Sequence, residues 1–155
     1  MRERVQHSLP EPRSYTEGDM PGSIRVACAS LGGEQVDGHF GSCPLFLIYQ
    51  VSADKIRLID LRVTENAAQA DGGSAYRAGL IKDCHILYMQ SIGGPAAAKV
   101  VKAGVHPIKL LEGGEAPEVL AQLQKVLAGS PPPWLAKVMG AAPEERIRYQ
   151  QPEAL

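Results

Sequence analysis

Residues 35–44 read QVDGHFGSCP and set one imidazole, His39, between Gly38 and Gly41, with a thiol, Cys43, four positions on. A neutral imidazole offers a lone pair to a metal without losing a proton above about pH 6.5. Glycines on either side of it let the backbone approach a bulky ligand, because no Cβ stands in the way. Cys43 could add a soft thiolate of the kind that holds iron–sulfur centres; a cysteine entering a strand can equally be a small buried hydrophobe. A loop histidine can likewise serve only to bond a carbonyl, and Asp37-Gly38 can simply turn the chain. One imidazole with one further thiolate is too few ligands to close a metal site, but enough to hold a preassembled cluster at a single vertex. The candidate ligand-binding residues in this stretch are Gly38, His39, Phe40, Gly41, Ser42 and Cys43, with His39 the candidate metal ligand, and the stretch taken alone leaves the turn-and-packing reading standing beside that one.

A second stretch, QSIGGP, places Gly93 and Gly94 ahead of a proline-started helix. Backbone N–H groups and the positive end of a helix dipole suit an anionic ligand there, although glycines before a helix can also serve close packing alone. Lys99 and Lys102 follow on the same helix. Cys28 lies within an apolar strand and Cys84 at a helix end, where packing explains them; His85 and His106 begin apolar strands, and His7 lies in a polar N-terminal segment.

The elements that must position these loops follow from hydrophobic periodicity. IRVACAS (24–30), FLIYQV (46–51) and IRLIDLRV (56–63) read as strands, the last two joined by the turn SADK, and together they form a meander. SAYRAGLIKD (74–83) reads as a helix with Tyr76, Leu80 and Cys84 spaced by four on one side. HILYM (85–89) is a fourth strand, AAAKVVKAG a helix that Pro95 starts and Gly104 ends, and HPIKLL (106–111) a fifth strand parallel to the fourth. A last long helix spans Pro117–Ala128, with Val119, Leu120, Leu123, Val126 and Leu127 on its apolar face, and WLAKVMG adds a short amphipathic turn. This order predicts an α/β fold of ribonuclease-H-like arrangement, a five-stranded mixed sheet flanked by helices. If the first strand lies beside the fourth, VDGHFGSC and SIGGP emerge at the same sheet edge, where open α/β sheets place ligands.

Composition narrows the function. The 155 residues are 45% hydrophobic and 21% charged, an ordinary globular balance. A formal charge of −1, from 16 Lys+Arg against 17 Asp+Glu, carries no electrostatic footprint for nucleic acid or an anionic membrane. No apolar run reaches the roughly 18 residues of a membrane span, and the N-terminus lacks the apolar middle of a signal peptide, so a cytoplasmic protein is expected. Three cysteines without a CxxC argue for reduced thiols rather than a disulfide framework. A ribonuclease-H-like nuclease needs carboxylates on its central strands for magnesium, and IRVACAS and HILYM have none. LGGEQ is not followed by the GK[ST] of a phosphate loop.

Taken together, IRVACAS, VDGHFGSCPLFLIY, the helix ending LIKDC, IGGPAAAKVVKAGVHPIK and PPPWLAKVM resemble the nitrogenase iron–molybdenum cofactor-binding family of NifX/NafY type, from about Ile24 to Met139. DGHFG and IGGPAA carry the resemblance jointly, and PPPWLAK points to the core domain of the NafY/NifY branch, the gamma-subunit-like accessory proteins of dinitrogenase. The resemblance implies a ribonuclease-H-like fold without catalysis. It implies reversible binding of the iron–molybdenum cofactor or an iron–sulfur precursor, with apo-dinitrogenase and other cofactor-biosynthesis proteins as partners. It places the family's histidine on His39 and carries no ligand role onto Cys43.

Residues 1–22, polar and rich in Pro and Gly, read as a flexible linker or tail; 23–140 as the cofactor-binding core; and 141–155 as a polar tail. The branch carries an N-terminal helical domain implicated in docking to the apo-enzyme, and a domain preceding this linker is expected. Two other classes of function remain open: an interaction module anchored by Trp134, Leu135, Val138 and Met139, and a redox or hydrolytic enzyme pairing His39 with Cys43.

Overall fold

The computed structural model describes residues 9–64 and 73–140; positions 1–8 of the N-terminal segment and the tail at 141–155 lie outside them. The described chain runs β1 (Ile24–Ser30), β2 (Leu45–Val51), β3 (Ile56–Val63), α1 (Ser74–Leu80), β4 (Ile86–Met89), α2 (Gly94–Lys102), β5 (His106–Lys109), α3 (Ala116–Ala128) and α4 (Pro133–Val138). The five strands form one mixed sheet in the order β3-β2-β1-β4-β5. β1 pairs antiparallel with β2 and parallel with β4, so the meander joins the β-α-β unit through β1, which meets the condition set for the two loops to share an edge.

Every residue of β2 is buried. Such a strand reads as a continuous apolar run because both faces of the sheet are covered. On one face Ile24, Val26, Leu47, Tyr49 and Tyr88 pack against Leu120, Leu123 and Leu127 of α3 and Leu135 of α4. On the other, Ala27, Ala29, Phe46, Ile48, Leu87 and Met89 meet Ala78 of α1 and Val100 of α2, with Phe40 and Cys43 in the same cluster. The outer strand β3 is partly covered by the N-terminal segment, where Arg13 N donates to Leu58 O at 2.8 Å and the Tyr15 ring lies near the guanidiniums of Arg25 and Arg57. Cover of this kind shields an edge that would otherwise template strand addition.

Helix α1 departs from the periodicity in two ways. It ends at Leu80 rather than Asp83, closing through turn-like bonds from Ile81 N to Ala78 O and from Cys84 N to Ile81 O. The Asp83 carboxylate instead accepts hydrogen bonds from Arg62 and Arg25. The helix also buries Arg77 and Ala78 rather than a Tyr76–Leu80 stripe, because carbonyl acceptors for the Arg77 guanidinium lie beneath it.

The Arg25–Asp83–Arg62 network sits at the N-terminal end of β1, away from the His39 loop, and makes stability pH-dependent. Burial by itself would raise the Asp83 pKa, but the bonds from Arg62 and Arg25 outweigh it and hold the carboxyl at about 2, against 3.8 unperturbed. His85 is pushed below 6.5, by burial first and then by the Arg25 charge, and its Nδ1 accepts the Arg25 backbone N–H at 3.0 Å. Both folded-state values are depressed, so both contributions are complete above the unfolded values and vanish as the pH falls through the folded ones. Urea midpoints are expected to decline below about pH 6.5 as His85 is forced to charge, and again between 3.8 and about 2. Asp83→Asn is expected to lower the midpoint at pH 6 and to flatten the second decline; an unaltered acid limb in that variant would refute the assignment.

Candidate functional site

The long connection from β1 to β2 does not hang free. Its first half is tied to the turn before α3, with Val36 N donating to Gly114 O at 2.7 Å and Ala116 N to Glu34 O at 3.1 Å. Its second half is tied to the end of β4: Gln90 N donates to Gly38 O at 2.9 Å and Phe40 N to Ser91 O at 2.9 Å, making a parallel bridge between His39 and Ser91. The parallel pairing of β1 with β4 brings the two loops to one sheet edge, as the chain order requires.

Gly38 occupies the tightest point. A Cβ there would lie 2.7 Å from Cys43 Cβ, 2.9 Å from Ala29 C and 3.0 Å from Ser30 N. Next to it the chain turns so that Ser42 N and Cys43 N both donate to His39 O, at 3.0 and 2.9 Å. Phe40 points inward, fully buried, its ring centroid 5.7 Å from that of Phe46. His39 points outward, with Nδ1 2.6 Å from Ser91 Oγ. Gly41 and Ser42 are exposed beside it, as are Gly93 and Gly94 at the start of α2, where an added Cβ would meet nothing within 4 Å.

Cys43 faces the other way. Its side chain is fully buried, and burial pushes the thiol pKa up although the Arg77 guanidinium pulls against it. Its Sγ lies 3.5 Å from Arg77 Nη1, whereas the His39 imidazole bonds Ser91; the structure does not pair thiol with imidazole. Phe40 and Cys43 thus turn their side chains into the core and anchor the loop, and do not present them beside His39. Cys28 and Cys84 are also buried, the Cys84 thiol pushed up to about 12 chiefly by desolvation. Thiolates are disfavoured at all three positions.

Two residues that support the loop carry no signal in the sequence. Arg77, 6% exposed, donates from Nη1 to Phe40 O at 3.0 Å and Cys43 O at 2.8 Å. Thr64 Oγ1 donates to the same Cys43 carbonyl at 2.6 Å. Ser91 was within reach of the sequence, as the second residue past a parallel strand at the edge where ligands bind, but nothing in its type separates it from other serines. Lys99 reaches back to Ser74 Oγ at 3.0 Å, while Lys102 lines the cleft between α1 and α2 with Lys82.

Chemically, the arrangement presents one exposed imidazole on a stiffened loop, flanked by glycines, with the sulfur ligands turned into the core. Among the described residues no three His, Cys, Asp or Glu side chains converge as a metal cage. The donor set suits a cluster that already has its other ligands rather than a bare ion. A family model described as dinitrogenase iron-molybdenum cofactor matches residues 22–126.

The chain belongs to that family. It is 53% identical over 143 residues to Protein NifY of Azotobacter vinelandii, a match that covers 92% of this chain and 59% of NifY. To Protein NifX of Rhodobacter capsulatus it is 35% identical over 141 residues, covering 85% of this chain and 86% of NifX. The family's fold is shared with the crystal structure of a Methanocaldococcus jannaschii protein described as a candidate dinitrogenase, at a TM-score of 0.50 and 14% identity, covering 68% of this chain and 91% of that one. The resemblance carried by DGHFG and IGGPAA is thus to the family that the whole-domain match identifies, and both motifs lie inside the matched span.

At the opposite end of β4 and β5, Trp134 stacks on His106 with ring centroids 4.5 Å apart and is 38% exposed, over a depression of about 280 Å³ that Val101 and Val138 help line. Leu135 and Ala136 of the same helix are buried, so α4 covers its own sheet and leaves Trp134 and Lys137 exposed. Among the described residues no helix is long and apolar enough to cross a membrane.

Proposed function

We propose that this protein is a non-catalytic cytoplasmic carrier that holds the iron–molybdenum cofactor of dinitrogenase, or its iron–sulfur precursor, and assists insertion into apo-dinitrogenase alongside other cofactor-biosynthesis proteins. One observation carries the reading: a single outward imidazole, His39, stands on a rigid loop from which every thiol is turned away. A carrier has to protect a cluster and later surrender it. One nitrogen ligand supported by small neighbours meets both needs, whereas several thiolates would hold the cargo too firmly to release it. Gly93 and Gly94 follow Ser91 by two and three residues and offer backbone N–H groups at the start of α2, suited to an anionic cluster. The family description agrees with cofactor handling.

The test is anaerobic titration of isolated iron–molybdenum cofactor into wild type and His39→Ala, followed by a native gel stained for iron. Iron is expected to migrate with the wild type, and His39→Ala to bind at least about tenfold more weakly. Its urea midpoint should be unchanged, because the imidazole is exposed and the main-chain bonds to His39 O remain. Full affinity in His39→Ala would overturn the reading. Iron with neither protein, combined with retained binding to apo-dinitrogenase, would favour an interaction module in which the half-exposed Trp134 supplies the anchor.

A further inference from the structure

We infer that the cargo is met by Nε2 of His39 and that Gly41 is the residue that keeps this nitrogen open; the inference rests on the carrier reading and specifies its geometry. An imidazole can present either nitrogen to a metal, and which one is free depends on what the other bonds. Here Nδ1 is engaged, 2.6 Å from Ser91 Oγ. Ser91 is held in turn, because its own carbonyl accepts the Phe40 N–H within the His39–Ser91 bridge. With the Ser91 hydroxyl accepting from Nδ1–H, the Nε2 lone pair is the one left to donate, and ring orientation is set by the protein before cargo arrives.

Gly41 lies directly against that nitrogen. A Cβ built on it would sit 3.2 Å from Nε2 and 3.4 Å from Cδ2 of His39. Its backbone is not in the left-handed region, unlike that of Gly33 or Gly113, so conformation does not call for glycine. Nor does core packing, since the residue is exposed and, among the described residues, the only atoms within 4 Å of its added Cβ belong to the His39 ring. The contrast with Gly38, where a Cβ would strike β1 backbone, separates the two glycines of the motif. Gly38 is small so that the loop can close; Gly41 is small so that something other than this chain can approach Nε2. A single aquated ion would tolerate a methyl group at that distance by adjusting its waters. A multinuclear cluster, with rigid sulfide neighbours around the bonded metal, would be crowded by a methyl group and more so by a branched side chain.

The experiment compares Gly41→Val, Gly41→Ala, Ser91→Ala, Ser91→Thr and His39→Ala with wild type, using isolated iron–molybdenum cofactor as the probe and long-range ¹H–¹⁵N spectra of the cargo-free imidazole as a second readout. Gly41→Val and Ser91→Ala are each expected to weaken cargo binding by about tenfold or more. Gly41→Ala should have a smaller effect in the same direction, and Ser91→Thr should restore binding by keeping a hydroxyl. The wild-type spectrum should show Nδ1 protonated and Nε2 bare at alkaline pH, with Ser91→Ala losing that preference. Urea midpoints within error of wild type are expected for both Gly41 variants; should valine unfold the loop, the alanine variant carries the comparison. Wild-type affinity in both Gly41 variants, or an Nε2–H tautomer in wild type, would overturn this inference while leaving the carrier reading intact if His39→Ala has lost the cargo. Undiminished binding by His39→Ala would remove both.

Discussion

Gly38→Ala is expected to lower the free energy of unfolding by about 3 kcal/mol, the upper part of the range for forcing an extra carbon into a packed site. Two of the atoms that the new methyl would meet, Ala29 C and Ser30 N, are main chain of a central strand and cannot swing aside. Relief must therefore come from the loop. Moving it lengthens the bonds from Gly38 N to Ala29 O and from Gln90 N to Gly38 O that dock it onto β1 and β4. Cargo affinity should fall in step with stability, since His39 is the next residue. The same substitution at Gly79, inside α1 with nothing within 4 Å of its Cβ position, is expected to stabilise by up to about 1 kcal/mol, the helix-propensity difference between glycine and alanine. Urea unfolding of the two variants side by side checks both signs. Equal midpoints would show that space around Gly38 is not what holds the loop.

The second large effect is expected at Arg77. Its guanidinium is buried under the loop, spans the carbonyls of Phe40 and Cys43, and keeps Nε without a partner among the described residues. Arg77→Met retains the apolar stem but removes the donor, leaving Phe40 O without that bond and Cys43 O with Thr64 alone. Charge-assisted hydrogen bonds are worth about 1.5–3 kcal/mol each. Part of the loss is offset because a desolvated charge no longer has to be buried, so a net destabilisation of about 2–3 kcal/mol is expected. Amide hydrogen exchange should rise across residues 38–44 before it rises in the strands, because the staple acts on the loop. Arg77→Lys, which keeps a charged donor, should recover part of the loss. Exchange in the loop that matches wild type in Arg77→Met would mean that the β4 pairing alone sets its order.

Much of this architecture was legible in the chain. Apolar runs at 24–30, 46–51 and 56–63, a turn at SADK, and a proline-started helix between two short apolar segments are local signals, and each maps onto an element within a few residues. The meeting of the His39 loop with the Gly93 loop was legible on the condition that β1 lies beside β4, since a parallel β1–β4 pair sends both following loops to the same edge. Arg77 was not legible. The spacing of Tyr76, Leu80 and Cys84 marked one side of the helix and held no sign that an arginine of that helix would be buried. The guanidinium is buried because its acceptors are main-chain carbonyls 34 and 37 positions earlier, and no window of neighbouring residues contains that information.

The sequence by itself singled out the candidate metal ligand: His39 is an imidazole between glycines, and its chemistry is a property of residue type and local spacing. It gave the strands and their succession along the chain for the same reason, since hydrophobic period is local; that β1 lies beside β4 was decided by the tertiary structure. Only the tertiary structure decided that Cys43 turns inward to Arg77, that Ser91 takes Nδ1, and that Gly38 and Gly41 are small for different reasons. These depend on which atoms lie within 4 Å of a side chain after residues 29, 43, 77 and 91 have been brought together, and close packing at that scale is set by the whole fold rather than by any stretch of it.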